Sequence, residues 1–154
     1  MPITPARLLW SNRPTLYRLD NNDFAPVLHR GDIIAVNSFA YRFTVPSFPF
    51  LHLGSVWRAL PARCEIVRIN GEEGRGSFVQ VLGLPGETVG VSEGQLYVDG
   101  LPIFPCSFHL PTGEWPLTSV PAGSILVGTV KLGTIDKLFI VPARRLVGRA
   151  RKLF

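Results

Sequence analysis

The chain of 154 residues has no run of about 18 apolar residues, so no stretch of it reads as a membrane-crossing helix. Its opening, MPITPARLLWSNRPTLY, offers only Leu8, Leu9 and Trp10 as an apolar block, too short for the core of a secretory signal peptide. Cysteine is scarce. Cys64 and Cys106 are the only two, which excludes the C-x-x-C spacing of a zinc site. They admit either one disulfide, in a domain outside the cytoplasm, or two isolated buried thiols. His29, His52 and His109 have no acidic or cysteine partners at ligand spacing, so structural or surface roles suit them better than metal binding. No metal and no cofactor is expected. Also missing is any long amphipathic stripe with helical period, and 15 Gly with 14 Pro would each penalise a helix interior.

What is present is a chain that is 46% apolar, enough for one domain's core. Val, Ile, Leu and Phe come in short runs between turn signals, at 15–19, 33–37, 65–69, 78–82, 88–91, 95–98, 124–130, 138–141 and 145–150. The fold class is mainly β. A single β domain is expected over 15–154, with 1–14 as an N-terminal segment outside it. Residues 39–60 hold a cluster of Phe, Trp and Tyr broken by prolines and a glycine, and read as an aromatic loop or edge region able to face a membrane surface or a partner. The net charge of +5 allows anionic partners. However, Arg144, Arg145, Arg149, Arg151 and Lys152 gather at the C-terminus, where a solvated face is the simplest reading. Basic and aromatic residues are not interleaved there, so no nucleic acid is expected.

Five blocks, in order, carry a resemblance to a known family. In residues 23–42, Pro26, Leu28, Gly31, Asp32 and Val36 match S-M-x-P-T-L-x-x-G-D-x-(aliphatic)-x-V, and Phe39, Ala40, Tyr41 and Pro46 continue the register. Pro61, Arg63, Glu65, Ile66 and Val67 form the second block, with Cys64 where glycine is usual. The sharpest block is 81–89, VLGLPGETV, with Gly83, Pro85 and Gly86, followed by QLYVDG at 95–100. Val141, Pro142 and 146–150 close the series. The chain resembles the type I signal peptidases. The resemblance implies the fold of their catalytic domain: short antiparallel strands in coiled sheets, related to the C-terminal domain of self-cleaving repressors.

The resemblance also implies where the chemistry would sit. In that family the serine three residues before the proline is the nucleophile, and a lysine four residues before G-L-P-G is its base. Apolar surroundings lower such a lysine's pKa until the neutral amine can take the serine proton. Here those positions hold Asp23 and Val79, with Gln80 at a neighbouring arginine position. A hydrocarbon has no lone pair, and an ionised carboxylate opposes the oxyanion that acyl transfer must develop. The later G-D-N…S-x-D-S-R block is also worn away, leaving Gly128, Thr129 and Asp136. Ser11 begins a second S-x-x-P-T-L match, but Gly-Asp does not follow it.

The expectation is therefore a signal-peptidase-like protein with no intact catalytic residue. Asn21, Asp23, Phe24, Pro26, Val79 and Val81 are the candidates for lining a peptide groove, and Gly31, Asp32, Gly83, Pro85 and Gly86 for its framework. The expected partner is an extended peptide, or a secreted or surface protein, in secretion or pilus assembly. An extracytoplasmic or membrane-associated setting follows from the resemblance, although this chain shows no tether or leader. Two alternatives remain: an endopeptidase with a non-standard nucleophile and base, and a relative of the self-cleaving repressors.

Overall fold

The structure, a computed structural model, describes residues 14–37, 60–71, 76–104 and 106–153. Ser11, His52, the segment 1–13 and nearly all of the aromatic stretch 39–60 lie outside these residues. Eleven strands account for most of the described chain. They are β1 (Thr15–Arg18), β2 (Ile33–Asn37), β3 (Ile66–Asn70), β4 (Gly76–Gly83), β5 (Thr88–Ser92), β6 (Gln95–Val98), β7 (Leu101–Ile103), β8 (Trp115–Ser119), β9 (Ser124–Lys131), β10 (Thr134–Pro142) and β11 (Leu146–Lys152). A single 3-10 turn, Ala143–Arg145, separates the last two. Among the described residues no helix is long and apolar enough to cross a membrane.

The strands form two antiparallel sheets. Seven lie in the order β1-β2-β11-β3-β4-β9-β10, and four in the order β7-β6-β5-β8. Side chains alternate across a strand, so a sheet apolar on both faces is encoded by unbroken apolar runs. Strand β9 shows this directly. Leu126 and Val130 point into the core shared with the smaller sheet, where Val89, Val91, Leu96, Val98 and Phe108 meet them. Ile125 and Val127 point the other way, into a second core with Val67, Ile69, Val79, Val81 and Val141.

The two strands that periodicity did not reveal, β7 and β8, are the outer strands of the smaller sheet. Each carries a proline, Pro102 and Pro116. Proline lacks the N–H that an inner ladder needs, so it is tolerated on an edge and masks the strand from a propensity reading.

Chain passage between the sheets occurs at Gly83–Glu87. A Cβ on Gly83 would lie 2.8 Å from Val89 Cγ2 and 2.9 Å from Leu126 Cβ, so only hydrogen fits there. Gly86 follows at φ 84°, a left-handed position that closes the turn after Pro85. Arg63 grips this corner. Its guanidinium donates to both carboxylate oxygens of Glu87 at 2.8 Å and to the Leu82 carbonyl at 3.0 Å. Glu87 also accepts the Leu84 N–H at 2.7 Å. The Arg63 bonds, with a smaller opposing effect of burial, hold the Glu87 carboxyl below the usual carboxylate range.

The two cysteines are joined. Cys64 and Cys106 form a disulfide with a Cα–Cα distance of 5.2 Å, closing a separation of 42 residues. Cys64 sits at φ 74°, a conformation glycine adopts without steric cost. That accounts for the glycine usual at this position in the signal-peptidase pattern.

Candidate functional site

Between β1 and β2, residues 19–32 fold into a compact loop held by short polar side chains bonding to nearby backbone. Asn21 Oδ1 accepts the Asp23 N–H at 3.0 Å and Asn22 Oδ1 accepts the Arg30 N–H at 2.8 Å. Asp32 Oδ2 accepts the His29 N–H at 2.7 Å, and the Leu19 carbonyl accepts the Gly31 N–H at 2.8 Å. Side-chain oxygens of Asn and Asp imitate a backbone turn in this way, so the run D-N-N-D encodes the bend. Asp32 is held below the ordinary carboxylate range chiefly by the His29 N–H. Burial opposes this, and Lys152, with Nζ at 3.4 Å, adds to it. Gly31 takes φ 93°, and the Ala25–Pro26 peptide is cis.

Phe24 drops from this loop into the first core. Its ring meets Phe108 edge-on at 5.7 Å and Phe78 at 6.4 Å. Asp23 stays at the surface and ties the loop to the β9–β10 turn. Its carbonyl accepts the Gly133 N–H at 2.8 Å, and its Oδ1 accepts the Leu132 N–H at 3.4 Å. Beside it opens a groove of about 480 Å³, lined among others by Tyr17, Arg18, Asp23, Arg68, Phe78 and Thr129. Strand β1, which supplies Tyr17 and Arg18, is an outer strand of the large sheet among the described residues, paired there with β2 on one side.

The structure brings together Asn21, Asp23 and Phe24 along this groove. It does not bring the other three candidates there. Pro26 is exposed on the loop and is not one of the lining residues. Val79 and Val81 are fully buried in the second core, on the opposite face of β4 from Phe78 and Leu82. Alternation along β4 is the physical reason: residues 78, 80 and 82 share the face toward Phe24, and residues 79 and 81 share the other. Gln80 is on the near face, buried, with Nε2 donating to the Cys64 carbonyl at 3.2 Å.

Sequence reasoning did not single out Tyr17, Arg68, Gly76 or Phe78. In the register of β3 with β4, Arg68 faces Phe78 directly. Arg68 Cζ lies 4.1 Å from the centroid of Tyr17 and 4.7 Å from that of Phe78, and the two rings meet edge-on at 5.7 Å. The runs at 65–69 and 78–82 that become β3 and β4 were legible, but the ring on β1 that completes the cage comes from some fifty residues earlier in the chain.

Together these features define a mainly antiparallel β-sheet domain with a groove beside β1, an outer strand among the described residues. The chain belongs to the signal peptidase family: the family described as "Signal peptidase, peptidase S26" matches residues 6–113. Curated relatives include signal peptidase I V of Bacillus subtilis, 29% identical over 127 residues, or 82% of this chain and 62% of that protein. Signal peptidase I of Leptolyngbya laminosa is 28% identical over 136 residues, 86% of this chain and 64% of the relative. A probable signal peptidase I-1 of Synechocystis is 28% identical over 111 residues, 71% and 53% of the two chains. The chain thus spans between 53% and 64% of the length of these relatives. Among solved structures, a signal peptidase I of Enterococcus faecalis matches with a TM-score of 0.42 and 18% identity, covering 58% of this chain and 95% of that one.

Proposed function

We propose that this domain is a non-catalytic signal-peptidase-like module that holds an extended peptide along β1, in secretion or in assembly of surface proteins. The family's chemistry is that of a serine endopeptidase. One observation carries the reading. Asp23 borders the groove while Val79, the residue at the base position, is sealed in the core on the other side of β4. No amine therefore faces Asp23 from that position. Loss of one member of a coupled nucleophile–base pair already costs on the order of a million-fold in rate, as in subtilisin.

Peptide binding needs neither member. An outer strand presents unpaired N–H and C=O groups, and an extended peptide can add to it as a further strand. The groove beside β1 supplies room for its side chains. The Cys64–Cys106 disulfide supports a site of action outside the cytoplasm, where such bonds persist. That setting agrees with a membrane-associated family.

The test is incubation of the purified protein with a signal-peptide substrate and, separately, with a serine-directed acylating inhibitor. The expected result is neither cleavage nor a covalent adduct, alongside measurable binding of an extended peptide. Turnover lost on Asp23→Ala, or on Ser11→Ala, would overturn the proposal in favour of an endopeptidase with unusual residues.

A further inference from the structure

Arg68 has its guanidinium held on three sides. The Tyr17 and Phe78 rings cover two of them, and Gly76 forms the third, where a Cβ would come within 2.6 Å of Nη2 and 2.7 Å of Nε. Held this way, the side chain has already lost the rotamer freedom that binding would otherwise cost. Yet among the described residues nothing accepts from the five donors it presents. Among the described residues no carboxylate lies within 4.0 Å of it, and no acceptor hydrogen-bonds it; the ion pairs present join Arg63 to Glu87, Arg149 to Glu65, and Lys152 to Asp32. The half-buried fork lines the groove beside β1, and one of the rings that fixes it, Tyr17, belongs to β1 itself. The other charges there are Arg18, Asp20 and Asp23. The two acids are engaged locally, Asp20 with the Asn21 amide and Asp23 with the Leu132 N–H.

We infer that Arg68 is an anion receptor in this groove, and that the ligand is an extended peptide whose carboxylate, at its C-terminus or on an Asp or Glu side chain, docks on the guanidinium. A planar fork matches a carboxylate with two parallel N–H···O bonds, and flanking rings shield such a pair from water. The inference rests on the peptide-binding reading above and names the chemistry that groove selects.

Fluorescence anisotropy with labelled hexapeptides of Ala, Val and Gly tests it. One probe is a free C-terminal acid, the second its amide, and the third an amide with one internal Glu. The wild-type protein should bind at least one carboxylate-bearing probe on the order of tenfold more tightly than the neutral amide. A preference for the free acid identifies the C-terminus as the docked group, and a preference for the Glu probe identifies a side chain. Arg68→Gln should abolish the preference. Arg68→Lys should retain part of it. Gly76→Ala, which pushes the guanidinium aside without altering charge, should weaken it; its thermal melt shows whether the variant is folded. Equal affinity for all three probes in the wild type, or a preference that survives Arg68→Gln, overturns the receptor role and leaves the peptide groove standing. Absence of binding by any probe overturns both.

Discussion

Burial of Val79 away from the groove is tested by placing a lysine there, the residue the proposed register assigns to a catalytic base. Val79 has no exposed surface and its neighbours, Val67, Val81, Ile125 and Val127, are hydrocarbon. A lysine at this position loses part of the roughly 1.5–3 kcal/mol that burial of valine contributes. The ammonium finds no partner, so the folded state drives it neutral, with a pKa lowered by about 3–5 units. An unfolded lysine titrates near 10.4, so neutralising it at pH 7 costs about 4–5 kcal/mol at roughly 1.36 kcal/mol per unit. That cost approaches the whole stability of a domain, about 5–15 kcal/mol. The direction with pH follows from proton counting. Between the lowered folded pKa and about 10.4 the unfolded chain binds the extra proton, so stability rises with pH at about 1.4 kcal/mol per unit. Urea melts of Val79→Lys from pH 7 to 10 should show that slope, and Val79→Gln should not. A Val79→Lys protein as stable as wild type and flat across this range would mean the amine reaches water in the groove, and the placement of Val79 would be wrong. The same placement means that Asp23→Ser combined with Val79→Lys gains no peptidase activity.

Two further outcomes concern the framework. Arg63→Met strands Glu87, whose carboxylate is about four-fifths covered, and should cost about 1–3 kcal/mol in urea denaturation. Glu87 is held below its usual range, so its contribution is fully present above about pH 4.5 and is lost as pH falls through the folded value; Glu87→Gln should flatten that acid limb. Reduction of the Cys64–Cys106 bond opens a loop spanning 42 residues and should lower stability by about 4 kcal/mol on loop entropy. Paired melts with and without reductant measure it, and no change would show that the bond does not restrain the unfolded chain.

Much of this architecture was legible. Strands β2, β5, β6 and β9 were placed within a residue or two, because their β-branched runs are bounded by glycine and Asx turns. The family register was legible too, since blocks around Gly31–Asp32 and Gly83–Glu87 encode turns that only a few residue types can make. Strands β7 and β8 were not, as their prolines speak against a strand unless the strand is known to lie on an edge. Period-2 alternation said that Val79 and Val81 share a face. It could not say which face meets Phe24, because both faces of the large sheet are apolar.

By itself, then, the sequence determined the class of fold and the family, both properties carried by local pattern and order along the chain. The joining of Cys64 to Cys106, the sealing of Val79 in the far core and the caging of Arg68 by Tyr17 and Phe78 were decided only in three dimensions. Each depends on which distant segments the sheets bring side by side, and no local spacing encodes that.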